Sequence, residues 1–208
     1  MRVRQPDGPG KVLKLTVRPV QDRIPIFLAV LGPKNVALAG EIADGWLPVF
    51  FSPEHTTALR TPLEEGAARA GRSLDDFRIC PTVNVMISDD LDVARNAMRP
   101  MLGLYVGGMG SREQNFYNRL VASYGFEREA QEVQELYLAG RKTEAMLALP
   151  DDLIDAVSIA GPPQRAKERI RAFRDAGVET LIVAPMAFDN DERKKQLHLV
   201  AELAKAVG

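Results

Sequence analysis

The residues best placed to do chemistry in this chain form the run Leu31-Gly32-Pro33-Lys34-Asn35. An apolar run ends at Gly32, and Pro33 takes the first helical position, where proline is favoured. A helix N-terminus offers unpaired N–H groups and the positive end of a dipole, so phosphate is the ligand it suits. Glycine lets the backbone approach such a ligand closely, and Lys34 adds charge. The same spacing also describes an ordinary strand-to-helix turn, because it matches neither a dinucleotide fingerprint nor a P-loop. Trp46 is the only tryptophan and follows the Asp44-Gly45 turn. It reads both as core at the start of a strand and as a ligand contact. Thr82 and Asn84 lie on the more polar face of an interior strand, where buried amides and hydroxyls need partners. A ligand or a neighbouring strand residue would serve. His55 reads as a surface or capping residue, His198 as structural or solvent-facing, and Cys80 as a small buried hydrophobe. No Ser/His/Asp arrangement, carboxylate pair or metal-ligand spacing stands out, and no catalytic residue is identified.

The elements that must position these residues alternate strand and helix. Pro25 to Leu31 is an almost unbroken apolar run, the habit of a parallel strand covered on both faces. Val36, Ala39 and Ala43 give the following helix its apolar side. Trp46 to Phe51 is a second strand, and Ser52-Pro53-Glu54 starts a second helix. Arg78 to Ser88 is the third strand, and a helix follows Asp89-Asp90. This order predicts an α/β fold of parallel (β/α) units with right-handed crossovers.

The glycine-rich stretch Gly103 to Gly110 reads as a break in that rhythm. A helical insertion over about 103–150 follows, holding all four tyrosines, Tyr105, Tyr117, Tyr124 and Tyr137. Its aromatics suit a small core of their own or a lid or subunit interface. Asp151-Asp152 caps a short helix through Val157, and Gly161-Pro162-Pro163 starts another. Thr180 to Ala184 is the fourth strand, and the last helix is expected to bury Leu197, Val200, Leu203 and Val207. The Met1–Gly10 stretch reads as a loop, and Val12 to Val17 as a short strand.

Composition narrows the partners. The 208 residues carry 27 Lys and Arg against 28 Asp and Glu, a net charge of −1. That balance argues against nucleic acid or an anionic membrane surface. No apolar stretch approaches a membrane span, and no signal-peptide core is present at the N-terminus, so a cytoplasmic protein is expected. One cysteine and two histidines leave no intramolecular disulfide and argue against a His/Cys metal centre. The chain is expected to form one domain over 1–208 acting on a small-molecule substrate.

Two longer motifs add a family. The run from Pro25 to Asn35, followed by Ala39-Gly40-Glu41-Ile42-Ala43-Asp44-Gly45-Trp46, resembles the luciferase-like monooxygenase family, and within it the deazaflavin (coenzyme F420)-dependent oxidoreductases. Ala160-Gly161-Pro162-Pro163 and the stretch from Ala176 to Pro185 resemble that family's last strand–helix–strand region. The resemblance implies the second half, strands five to eight, of a TIM-type (β/α)₈ barrel with a helical insertion. It implies hydride transfer between reduced coenzyme F420, or alternatively FMN, and a small organic substrate. It places the cofactor phosphate at Gly32 and Pro33, with Lys34 and Asn35 adjacent, and makes Trp46 and Asn84 further candidate cofactor contacts. Four strand–helix units are half of such a barrel. The chain alone is therefore expected to lack the other half and its activity, and to act as a homo-oligomer or with a partner supplying that half. Two other readings fit the residues: a non-catalytic half-barrel that dimerises, and a barrel enzyme binding a sugar phosphate at Gly32-Pro33.

Overall fold

The computed structural model describes residues 20, 21 and 23–208. The loop and strand expected before Val17 lie outside them. The first elements are β1 (Phe27–Leu28), α1 (Pro33–Ile42), β2 (Gly45–Trp46), α2 (Thr56–Arg69), β3 (Arg78–Ile79) and β4 (Thr82–Ile87). They keep the expected alternation. β3 and β4 are two parts of the strand expected over Arg78 to Ser88, separated at Cys80-Pro81 because proline has no N–H for the ladder.

Every strand pairing is parallel. Successive residues of a strand turn their N–H and C=O groups to opposite neighbours, and that alternation fixes the order. Thr82 N donates to Pro48 O at 2.9 Å and Ser88 N to Gly161 O at 3.0 Å, both on one flank of β4. Ile182 N donates to Pro81 O and Met186 N to Val85 O, each at 2.9 Å, on the other flank. β5 (Ser158–Gly161) therefore extends the flank begun by β2, and β6 (Ile182–Pro185) takes the opposite one. The order is β1, β2, β3–β4, β6, with β5 added beyond the end of β2. β5 is absent from the sequence reading, because four residues directly after a helix carry too short an apolar signal.

The stretch expected as an insertion over about 103–150 holds the end of α3 (Leu91–Gly108), then α4 (Phe116–Val121), a π-helical turn (Ala122–Phe126), α5 (Glu127–Leu138) and α6 (Lys142–Leu147). The break expected at Gly103 does not occur, and α3 runs on to Gly108. A Cβ at Gly107 or Gly108 would lie 2.5 or 2.4 Å from the Tyr137 side chain. Those glycines let α5 approach α3 closely and do not end the helix. α7 (Asp151–Val157) leads into β5, α8 (Pro163–Asp175) into β6, and α9 (Asn190–Lys205) closes the chain.

Two cores result. Val83, Val85 and Ile87 point to the sheet face covered by α1, α2, α8 and α9, among Val36, Leu63, Phe173 and Val200. Met98, Leu102 and Val106 of α3 pack with Val121, Ala130 and Val133 inside the insertion, and Met86 of the other sheet face leans on this second cluster. The four tyrosines and Phe126 join this second core, which they share with Phe50 and with Leu153, Ile154 and Val157 of α7, whereas Phe116 is half exposed. In α9, Leu197 is exposed rather than buried as expected. The buried place falls to Gln196, whose amide accepts from Ile87 N at 2.7 Å and donates to Ile87 O at 2.9 Å. It completes the ladder where β6 has already turned away.

Candidate functional site

In α/β folds built from parallel strands, sites lie at the C-terminal strand ends. β1 leads through Ala29 and Val30 to Leu31-Gly32. Gly32 adopts φ +80°, a conformation that side-chain-bearing residues avoid. α1 then starts with Pro33, no side chain caps it, and its first turn holds no acidic residue. Its first intrahelical bond is Val36 N to Gly32 O, 3.0 Å, so the preceding amides at Lys34 and Asn35 face outward as the dipole's positive end.

A cavity of about 450 Å³ opens beside this helix start. Gly32 and Pro33 form one side, Leu59 and Pro62 of α2 another, and Phe116, Arg119 and Tyr124 of the insertion close it, with Trp46 at its base. Trp46 is buried, donates from Nε1 to Val30 O at 2.9 Å and meets Phe51 edge-on at 6.3 Å. It serves as core and cavity wall together.

The candidate residues thus separate. Gly32, Pro33 and Trp46 share one cavity. Lys34 and Asn35 are exposed on the first turn of α1 outside its lining, and Asn35 Nδ2 makes only a long 3.5 Å contact with Leu31 O. Asn84 lies apart, on the sheet face covered by α3. Its Nδ2 is 3.2 Å from Met101 Sδ, and its buried Oδ1 has no partner among the described residues. Cys80 is a buried free thiol, as expected, and burial pushes its pKa up.

The loop after β2 adds a polar chain that spacing alone did not reveal. Ser52 Oγ donates to Glu54 Oε2 at 2.8 Å and lies 2.9 Å from His55 Nδ1. Arg169 of α8 pairs with the Glu54 carboxylate. Burial pushes Glu54 up, but the hydrogen bond and charge of Arg169 outweigh it, so the carboxyl titrates below its ordinary value. His55 stacks on Tyr124 with ring centres 4.5 Å apart. The Tyr124 hydroxyl donates to Phe50 O at 2.8 Å, and burial raises its pKa well above the usual phenol range. The sequence signal for Phe116 and Tyr124 was the aromatic density of the stretch and nothing more specific, and no signal pointed to Arg119. Ser52 is fully buried, so this chain of contacts fixes a loop and offers no accessible nucleophile. Among the described residues no cluster of His, Cys, Asp and Glu could hold a metal, and no helix is long and apolar enough to cross a membrane.

A parallel α/β sheet whose glycine turn and uncapped helix face a cavity defines a class of ligand-binding barrel-type folds. Residues 3–180 match the family model described as luciferase-like monooxygenase, and the chain belongs to that family. A Mycobacterium tuberculosis protein bearing the name of a coenzyme F420-dependent oxidoreductase is 43 % identical over 178 residues, 85 % of this chain and 51 % of that relative. The 5,10-methylenetetrahydromethanopterin reductase of Archaeoglobus fulgidus is 30 % identical over 86 % of this chain and 53 % of its own length. Among solved structures, the coenzyme F420-dependent tetrahydromethanopterin reductase of Methanopyrus kandleri superposes with a TM-score of 0.70 at 28 % identity, over 88 % of this chain and 50 % of that one. An F420-dependent secondary alcohol dehydrogenase, at 20 % identity and a TM-score of 0.64, shares the fold. The chain spans about half the length of the curated relatives it matches.

Proposed function

We propose that this chain forms the second half of the barrel of a coenzyme F420-dependent oxidoreductase, and that its Gly32-Pro33 turn holds the cofactor's phosphate. The observation that carries the reading is the uncapped start of α1: a glycine at φ +80°, no first-turn carboxylate, and two outward amides. Relatives named for coenzyme F420 support the cofactor. The residues present fit its anionic end, since backbone N–H groups and the helix dipole favour a phosphate there and the exposed Lys34 ammonium lies on the same turn. Bound coenzyme F420 would supply hydride chemistry toward a small organic substrate. The chain's own part is binding and orientation: Gly32 permits close approach, and Trp46 ties β2 to the segment after β1 through Val30. Asn84, apart from this cavity and with no partner for its Oδ1 among the described residues, is a further candidate contact.

Titration with coenzyme F420, followed by its fluorescence, tests the reading. The wild-type chain is expected to bind saturably, and Gly32→Val, which forces a β-branched residue to φ +80° beside the proposed phosphate, is expected to abolish binding with an unchanged circular dichroism spectrum. Equal affinity of the two proteins would remove the turn from the site. A second observation favours an assembly around the same half-barrel. Ile24 and Ile26 near β1, Ile42 of α1 and Ile182 of β6 are exposed at the two outer margins of the sheet, where a second copy or a partner half-barrel would cover them. A monodisperse monomer in sedimentation would exclude self-assembly.

A further inference from the structure

The wall of the cavity at Gly32 has an unusual polar inventory: among the described residues, every polar side chain in it except one has a hydrogen bond of 2.9 Å or shorter. Trp46 Nε1 donates to Val30 O, the Tyr124 hydroxyl to Phe50 O, and the Ser123 hydroxyl to Leu120 O at 2.6 Å. Among the described residues no carboxylate lines the cavity, and the rest of its wall is apolar. Phe116, half exposed, leaves part of that apolar wall open to water. The exception is Arg119. Its guanidinium lies 4.7 Å from the centre of the Phe116 ring, and its hydrogen bond is a 3.3 Å contact to Glu113 O.

Beyond the helix start and Arg119, a polar molecule entering this space would lose hydration without finding a free side-chain donor or acceptor. An apolar one loses only unfavourable hydration. The volume lies within the range of small-molecule sites, roughly 300–1,000 Å³. One cation at the mouth then selects one anion on the ligand, and an arginine fork suits a carboxylate. We propose that this cavity binds an apolar carboxylic acid, its alkyl or aryl body against Trp46, Leu59 and Phe116 and its carboxylate on Arg119. The proposal does not depend on the cofactor reading.

Because Trp46 is the only tryptophan and forms the base of the cavity, its emission reports occupancy. The full chain is titrated with decanoate and with decanol, below their aggregation limits, and the decanoate titration is repeated by calorimetry at saturating coenzyme F420. A saturable change in Trp46 emission is expected, with decanoate binding about tenfold more tightly than decanol. Arg119→Ala is expected to erase that difference and leave decanol affinity unchanged. Ala58→Phe, at an exposed α2 position lining the cavity, is expected to weaken both. No saturable change, equal affinities for acid and alcohol, or competitive displacement of decanoate by coenzyme F420 would each overturn the proposal, the last by giving the cavity to the cofactor. Failure of coenzyme F420 to bind would instead sink the cofactor reading and leave the decanoate result standing.

Discussion

Replacing Gly66 with alanine adds one methyl group to α2, a change that stabilises an isolated helix by about 1 kcal/mol. In this fold the sign reverses. A Cβ at Gly66 would lie 1.8 Å from Ala37 O and 2.6 Å from Ala37 C, where contact begins near about 3.5 Å. Gly40 on the facing helix meets Leu63 O in the same way, at 2.1 Å. α1 and α2 therefore touch backbone to backbone at two points, and no side-chain rotation can clear the clash. The helices would have to separate by more than about 1 Å, and overpacking of that kind costs about 3 kcal/mol. Set against the helical gain, the net loss is about 2 kcal/mol, which lowers Tm by about 4–8 °C in a chain of this size. Thermal unfolding followed by circular dichroism measures it, with Gly103→Ala as the companion. There the added Cβ meets Met146 Cγ at 3.1 Å, the middle of a flexible side chain that can yield, so Tm is expected to stay close to wild type. A Gly66→Ala chain with equal or higher Tm would refute the described α1–α2 contact. The shift would also reach the cavity, since Val36 and Pro62 of those two helices line it.

Two further outcomes test other parts of the fold. Gln196→Leu leaves both Ile87 N and Ile87 O unpaired in a buried setting, and at about 1–3 kcal/mol per orphaned group a loss of at least about 2 kcal/mol is expected in urea unfolding. A loss under about 0.5 kcal/mol would show that water reaches the end of β4. Glu54 titrates below its ordinary value when folded, so its contribution is complete above the unfolded pKa and is lost as pH falls through the folded one. Arg169→Gln is expected to lower the urea midpoint at about pH 7 and to leave it nearly unchanged below the range where Glu54 protonates. Because that side chain is half exposed, the effect is expected to stay under about 1 kcal/mol. An equal loss at both ends of the pH range would assign the effect to Arg169's other contact, the Ala156 carbonyl.

Legibility in the sequence followed signal length and local physics. The runs at Pro25 to Leu31 and Thr180 to Ala184 announced parallel strands by their apolar length, although Ile26 and Ile182 are exposed at the sheet margins rather than covered, and Pro33 and Gly32 marked a helix start through their backbone preferences alone. Gly103, Gly107 and Gly108 misled because glycine has two uses, freedom at a break and absence of a Cβ at a close approach, and only the neighbouring side chains, Met146 at Gly103 and Tyr137 at Gly107 and Gly108, decide between them. Gln196 was invisible for a related reason: its partner Ile87 is 109 residues away, beyond any periodicity. The same distance problem separates the candidate site residues. Gly32, which follows β1, and Trp46 of the adjacent β2 line one cavity, whereas Asn84, on an equally suitable strand, is claimed by Met101 of α3.

Phe50 joins the two halves of this picture. It is the only non-glycine among the described residues with positive φ, +52°, a conformation that costs about 1–2 kcal/mol. Glycine would remove that strain, but it would also remove a buried ring that meets Tyr105 and Tyr117 edge-on at 5.6 and 5.9 Å. Burial of such a ring is worth about 3–5 kcal/mol, so packing prevails over backbone preference. The left-handed turn in exchange aims the Phe50 carbonyl at the Tyr124 hydroxyl, and Tyr124 is a wall of the cavity. The loop after β2 and the helices that follow α3 therefore hold each other in place. Loosening the insertion core at Tyr105 or Tyr117 would disturb the cavity through Phe50, without touching any residue that faces a ligand.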